Sequence, residues 1–452
     1  MLGASPRHVA RDAIPSRYPC GVWHVSCEVR GVLRKLLALV FSLLSLGPSR
    51  AAATELEYTL PSPLSLQATL RAARGHRAEI ASASARARAA AERPKIDSAL
   101  PDPMLMASVD HLPFSLMGAD VSLAIEQQFP LSGVLARRKR AALAGARREA
   151  SEVQRVRLDV EQDAVSAFFM LLERRRMLEV LESVAATSRE LFAVAQAHYG
   201  AAHGTQADVL RAESELLRVA GEIRALEAEV DAAESMLNAA LGRPPELPIP
   251  ELSTLPLTSE PPPLARAVAT ALQRRPELAS MRHEHARALA EVEVMQSMYS
   301  PMAVVRAGPA YTMAEGPGAM IMLGVSVPIW RGRLSAGVAE ANAMVQMTNF
   351  EIAAMANMVR GEVATSREQV EAERRRFTAL HEQIRPKAEQ AVQASLASYA
   401  AAGTPAVAVI ESVRSLWDVR SEEVMAEVRL GLAWARLERA VGEFDIAEAG
   451  RP

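Results

Sequence analysis

Apolar residues recur every seven positions through the later part of the chain. Val338, Val345, Ile352 and Val359 form one series, and after a step of four Val363, Val370, Phe377 and Ile384 form the next. Sevens describe a left-handed coiled-coil seam, and the inserted four is a stutter that locally straightens it. The stretch 335–402 therefore predicts one very long helix, with another at 404–442. An equivalent pair stands earlier. Residues 132–198 contain no proline and predict a helix of about 100 Å at ~1.5 Å per residue. Residues 205–241 follow, stopped by Gly242-Arg243-Pro244-Pro245 as a glycine cap with downstream proline should stop them. Two shorter Ala-rich helices, 64–93 (ended by Pro94) and 264–298, precede the long ones. In each half the two shorter helices together match the long one in length, so they are predicted to stack end to end beside it.

Four strand-like runs lie between these helices, at about 104–112, 119–129, 302–311 and 318–327. Alternation is clearest at Val121, Leu123 and Ile125 against Ser122, Ala124 and Glu126. Such runs have the length of tilted membrane strands. Phe114 and Tyr311 fall at the hairpin ends, while Phe129, Tyr299 and Trp330 fall at the helix ends, like two interfacial belts. Ordinary hairpins of a periplasmic domain could have the same lengths. Four strands cannot close a barrel, and lipid tolerates no open sheet edge. Strands that enter a membrane would have to be pooled from several chains.

The chain is in effect written twice. Tyr199, Leu210 and Gly242 return as Tyr399, Ile410 and Gly442, each 200 residues later. Arg77-Ala78-Glu79 returns as Arg275-Pro276-Glu277, and Phe129-Pro130-Leu131 as Val327-Pro328-Ile329, each at an offset of 198. The expected organisation is a first repeat at 54–242, a Pro-rich linker at 243–263 that packs around the middle of the helical body, and a second repeat at 264–452. Each repeat reads helix, β-hairpin, long helix, helix, and the fold class is mainly α with a small β part.

The front end has secretory character. Arg34-Lys35 precedes an apolar run, Leu36 to Gly47, and small residues around Ala51-Ala52-Ala53 offer cleavage there, so 1–53 is read as an extension and signal peptide. Both cysteines, Cys20 and Cys27, precede that run, so the expected mature chain has no disulfide and no lipid-bearing cysteine. Lysine plus arginine (51) nearly balances aspartate plus glutamate (53), and no basic face suggests nucleic acid. His283-Glu284-His285 places its imidazoles on different helix faces, which argues against a metal pair. No catalytic motif or cofactor signature stands out, so the chain is read as a non-enzyme without metal or cofactor.

Three groups of residues together resemble the outer-membrane efflux protein family, the TolC-type channels. They are Tyr199-x₄-Gly204-Thr205 with Asp208-Val209-Leu210, Leu237-Asn238-x₂-Leu241-Gly242, and Tyr399 with Gly403-Thr404 and Ile410-Glu411. The resemblance spans about Leu64 to Gly442. It implies a homotrimer, with a helical tunnel across the periplasm and a shared 12-stranded barrel in the outer membrane. Such a channel would be a passive conduit of a tripartite efflux or type I secretion system, served by a periplasmic adaptor and an inner-membrane pump of RND or ABC type. Tyr199, Gly200, Gly204, Thr205, Tyr399, Gly403 and Thr404 become adaptor-docking tips. Here glycine would allow positive φ and threonine would cap the next helix. Asp208 and Glu411 become pore-gate candidates; a second acid of the family falls at Ala408 and is missing. Pro386 should bend the second long helix near the mouth. Methionines in or beside the strands, among them Met104, Met106, Met320 and Met322, also suit soft metals, and metal export is a further reading. The alternative class is a soluble periplasmic coiled-coil adaptor or scaffold.

Overall fold

The computed structural model describes residues 59–110, 120–253, 260–312, 314–401 and 403–444. The secretory stretch and Phe114 lie outside the described residues. Those described form α1 (Leu66–His76), α2 (Ala78–Asp97), β1 (Met104–Asp110), β2 (Asp120–Pro130), α3 (Val134–Gly200) and α4 (Gln206–Ala240). The second half gives α5 (Leu264–Arg274), α6 (Pro276–Ser297), β3 (Met302–Thr312), β4 (Gly316–Ser326) and α7 (Arg331–Thr378). A π-helical turn (Ala379–Ile384), α8 (Arg385–Ala400) and α9 (Ala406–Val441) complete it.

The four strands form one antiparallel sheet in the order β1-β2-β3-β4, not two separate hairpins. In the half of the body next to the sheet, α2, α3, α6 and α7 pack side by side in the same order as the strands they continue. Away from the sheet, α4 packs on α3, and α9 packs on α3, α7 and α8. One apolar core fills the middle, centred on Phe168 and Phe169 of α3 and Leu430 and Leu437 of α9. A second lies toward the far end, around Leu191, Val219 and Val409.

Both shorter helices break earlier than the sequence suggests. The break comes at Arg77 and Arg275, whose extended backbone (ψ 121° and 124°) ends α1 and α5. Pro276 enforces that geometry at the residue before it and opens α6. Pro94 does not stop a helix; it is buried within the last turn of α2. At these breaks the stacked helices meet. Gly242, just past α4, lies against His76, and a Cβ there would sit 2.9 Å from the His76 carbonyl oxygen. Arg77 donates to the Ala240 carbonyl (3.1 Å) and to Glu79 (2.8 Å). The copy repeats the device: Gly442 lies against Arg274 and Arg275, and Arg275 pairs with Glu277 and with Glu362 of α7. Arg439 of α9 reaches Glu277 (2.6 Å) and Asp159 of α3 (2.7 Å), tying the copies together. Burial by itself would raise the Glu277 carboxyl, but the hydrogen bonds from Arg275 and Arg439 outweigh it and hold it down at about 2.

The second long helix is not continuous. The π turn at 379–384 lies immediately before Pro386. Proline lacks an N–H and crowds the carbonyl four residues back, and widening the turn relieves both faults. The heptad seam buries Val359, Val363 and Val370 completely, whereas Val338 and Val345 are half-buried and Ile384 is exposed. The segment after α4 packs across the middle: Leu64 pairs with Leu252, Arg175 donates to the carbonyls of Ile249 (2.8 Å) and Pro250 (2.6 Å), and Arg367 donates to Pro262 (3.0 Å).

Gly431 is where α9 touches α3. A Cβ there would sit 2.2 Å from the ring of Phe169, which is wholly buried. Gly431→Ala is expected to cost about 1–3 kcal/mol by overpacking. Gly221→Ala, where a Cβ meets nothing within 4 Å, should gain up to about 1 kcal/mol of helix propensity. Thermal melting of the purified protein reads both, and a stable Gly431→Ala variant would contradict this packing.

Candidate functional site

Two sites stand at opposite ends of the helical body: the reversals between α3 and α4 and between α8 and α9, and the sheet. At the first reversal His203 and Gly204 both donate to the His198 carbonyl, at 2.9 and 3.1 Å. A Cβ on Gly204 would lie 3.0 Å from that of His198, so close approach, not positive φ, demands glycine here. The positive φ (57°) belongs to Ala202, and Gly200 borders open space. Thr205 caps α4 in a closed box. The Asp208 amide donates to its hydroxyl (3.2 Å), and its own amide and hydroxyl donate to the Asp208 carboxylate (3.3 and 2.7 Å). Asp208, expected to face a pore, is thus held locally as a helix cap.

The second reversal keeps the turn and loses the cap. Gly403 donates to the Ser398 carbonyl (2.8 Å), as Gly204 does to His198. The N-cap of α9 is Pro405, which has no side-chain acceptor, and the Thr404 hydroxyl has no partner among the described residues. Thr404 therefore does not do what Thr205 does. The two tyrosines also part. Tyr199 is exposed, whereas Tyr399 is buried with its ring 5.0 Å from that of His198. Tyr399 joins the two reversals to each other, and burial raises its phenol.

About two helical turns from the tips, a carboxylate bridges the two copies. Glu215 of α4 is 4% exposed and accepts from Arg414 of α9 (2.6 Å) and Arg218 (2.8 Å). The Arg218 guanidinium sits 5.6 Å from the centroid of the Trp417 ring. Burial alone would raise the Glu215 carboxyl, but the hydrogen bonds from Arg414 and Arg218 hold it at about 2. Glu411 is exposed three residues before Arg414. At the π turn, His381 Nδ1 lies 2.6 Å from Glu423, and Arg385 lies 3.2 Å from it. Neither the Glu215 bridge nor the π turn was read from the sequence; only the offset of near 200 between Glu215 and Arg414 could have hinted at the first.

The sheet has two chemically distinct faces. Cross-strand partners put the odd-numbered residues together, and Leu105, Leu123, Ile125, Ile321, Leu323 and Val325 are all between 46% and 77% exposed. The even-numbered face holds Glu126 and Arg306 in an ion pair (2.6 Å) and Ser108 and Ser122 in a hydroxyl pair (2.7 Å). Met104, Met106, Met302, Met320 and Met322 share this polar face. Gly308 lets β3 approach β2, since a Cβ there would lie 2.0 Å from the Leu123 carbonyl oxygen. Phe129, Tyr299, Tyr311 and Trp330 are exposed, and Trp330, at 74%, lies between the sheet and α7. Among the described residues no group of three or more side chains could hold a metal ion, and His285 instead bonds Thr348 (2.9 Å). Among the described residues no helix is long and apolar enough to cross a membrane.

Residues 267–443 match the family model described as outer membrane efflux protein. No curated protein matches this sequence. The chain superposes on the outer membrane protein VceC of Vibrio cholerae with 18% identity and a TM-score of 0.69, covering 84% of this chain and 96% of that one. It superposes on CusC, a structure that describes folding and transmembrane channel formation, with 15% identity and a TM-score of 0.73, over 84% and 92%. The open state of the MtrE outer membrane channel of Neisseria gonorrhoeae gives 17% identity and a TM-score of 0.70, over 84% and 89%.

The unequal caps give a direct comparison. Thr205→Ala is expected to speed amide exchange in the first turn of α4 about fivefold, the equivalent of a lost cap, while Thr404→Ala leaves α9 unchanged. Equal effects would mean the hydroxyl–amide bond is not what holds the tip. The Glu215 bridge gives a pH dependence. Its carboxyl is depressed in the folded state, so its stabilisation is present above the ordinary value of 4.5 and is lost as pH falls toward about 2. Glu215→Gln should be less stable than the parent at pH 7, and the gap should close across that acid window. A constant gap would refute the ion pair.

Proposed function

We propose that the chain is an outer-membrane efflux protein of TolC type and the outer-membrane conduit of a tripartite efflux or type I secretion system, a reading supported by the family model that residues 267–443 match and by the channels on which the chain superposes. The observation that carries this reading is the sheet with one apolar face left bare at the end of a long helical body. In water such a face is a liability; in lipid it is a requirement. Among the described residues the edges β1 and β4 have no further partner strand. Pooling three copies closes a 12-stranded barrel and leaves no unpaired edge in the hydrocarbon. The ion-paired polar face then lines the water-filled lumen. The body below becomes a tunnel whose open sides, α2 and α7, meet their neighbours.

The far reversals then lie in the periplasm and dock an adaptor, which leads to an inner-membrane pump of RND or ABC type. Tyr199, Gly200 and Thr205 are presented there, with Gly403 beside them, whereas Tyr399 acts from within. The gate is the narrowing of the tips. Glu411 contributes an acidic ring, and the Glu215–Arg414 bridge holds α9 against α4 while the mouth is narrow. Transport is passive, with no reaction at the channel. A second reading, soft-metal cargo, draws on the five methionines gathered on the polar face; unchanged copper and silver tolerance after gene deletion would remove it.

The mature protein should fractionate with the outer membrane and run as three chains once detergent is corrected for. A soluble periplasmic monomer would instead favour an adaptor or scaffold. In planar bilayers Arg414→Ala is expected to raise the single-channel conductance severalfold. An unchanged conductance with lowered stability would make the bridge structural and remove it from the gate.

A further inference from the structure

The outward rows of the sheet end in a band of positive charge. On β4 the exposed apolar row Ile321, Leu323, Val325 continues through Val327 and Ile329 and is followed in the first turn of α7 by Arg331 and Arg333, both exposed and on different faces of the helix. On β2 the row ends at Phe129 and Leu131, and Arg138 and Lys139 follow in the early turns of α3. Arg93 lies near the end of α2, before β1. All five cations are exposed and have no acidic partner among the described residues. Nearby acids are already engaged: Glu293 pairs with Arg140 (2.5 Å), and Glu92 pairs with Lys95 (2.6 Å). Asp97, Asp102, Glu291 and Glu340 remain, four acids against five cations, so the band keeps a small excess of positive charge.

The placement is costly in isolation. The positive end of a helix dipole favours acids, and α2, α4 and α6 carry Glu79, Asp208 and Glu277 in their first turns. Helices α3 and α7, like α5, α8 and α9, have no acid there and no side-chain cap, and α7 opens on two arginines. Of these, α3 and α7 start at the sheet. An external anion would offset this self-repulsion. Depth fits as well: the headgroup layer is roughly 5–8 Å thick on each side, and residue 139 lies within about 10 Å of the start of α3 at ~1.5 Å per residue. Long basic side chains bridge that distance by snorkelling.

We propose that this collar is a docking surface for anionic phospholipid headgroups of the membrane leaflet facing the helical body. The inference rests on the reading that the sheet is membrane-embedded. Continuity with the apolar rows favours lipid over a free anion, because the phosphate partner must sit at the edge of the same layer that covers Ile329 and Trp330. The collar would fix the depth of the barrel and the start of the helices.

The full chain is reconstituted in vesicles of phosphatidylcholine with an equal share of phosphatidylglycerol, re-extracted gently, and its retained lipid weighed by mass spectrometry. Phosphatidylglycerol is expected to be enriched roughly fivefold or more. The variant with Arg138→Gln, Lys139→Gln, Arg331→Gln and Arg333→Gln should lose the enrichment, and the Arg331→Gln/Arg333→Gln pair alone should lose part of it. These side chains are exposed, and the pair guards against a failure of the fourfold variant to fold. Equal retention of the two lipids overturns the proposal, as does enrichment that survives in the variants. Displacement by millimolar inorganic phosphate overturns it in favour of a free-anion site. Failure to insert into any vesicle sinks the membrane reading itself, whereas insertion without enrichment sinks only the collar.

Discussion

The bare apolar face of the four-stranded sheet is the constraint on which the rest depends. Among the described residues nothing covers its side chains, and its two edge strands carry backbone groups without a partner strand, which hydrocarbon would not tolerate. The helices α2, α3, α6 and α7 repeat the strand order beneath the sheet, so the edges of the sheet and the sides of the helical layer fall on the same two elements.

Length is the second constraint. A body of this height cannot be made from one short helix, and one of unbroken long helices could not change width at a single place. The chain answers with end-to-end stacking at Arg77 and Arg275. There a glycine past each abutting helix allows close approach, and arginine–glutamate pairs bind the joint. Arg439 links the joints of the two copies through Glu277 and Asp159. That network is more buried than a surface ion pair, and removing one partner would leave the other charge uncompensated. The middle is therefore the rigid part. Toward the tips the packing thins to a smaller core, a π turn and the Glu215 bridge, so less apolar contact holds this end together than holds the middle.

The two copies have diverged where the duplicated reading would treat them alike. Thr205 has a capping box and Thr404 does not, because Pro405 takes the N-cap position one residue later. Tyr199 faces solvent and Tyr399 is covered. The first long helix is continuous, and the second is broken at 379–384. The lost cap and the π turn loosen the second tip, whereas the burial of Tyr399 against His198 draws it inward.

Much of this was legible in one dimension. Periodicity of seven, alternation of two and an offset near 200 are local or self-referential signals, and they settle the element types, the duplication and the one-sided strands because each follows from which face of an element must avoid water. The same signals misplaced the helix breaks. Pro94 looks like a stop and is not, whereas Arg77 looks like any helical arginine and is the joint, because its extended backbone is stabilised by contacts with Ala240 and Glu79 that only stacking creates. The family resemblance makes Asp208 a pore-gate candidate; that its carboxylate also accepts from Thr205, three residues away, is a contact the structure adds. Buried Tyr399, the Glu215–Arg414 bridge and the merging of two hairpins into one sheet depend on chain segments about 200 residues apart meeting in space. Sequence determines what each face must avoid or seek; only the tertiary structure decides which partner satisfies it.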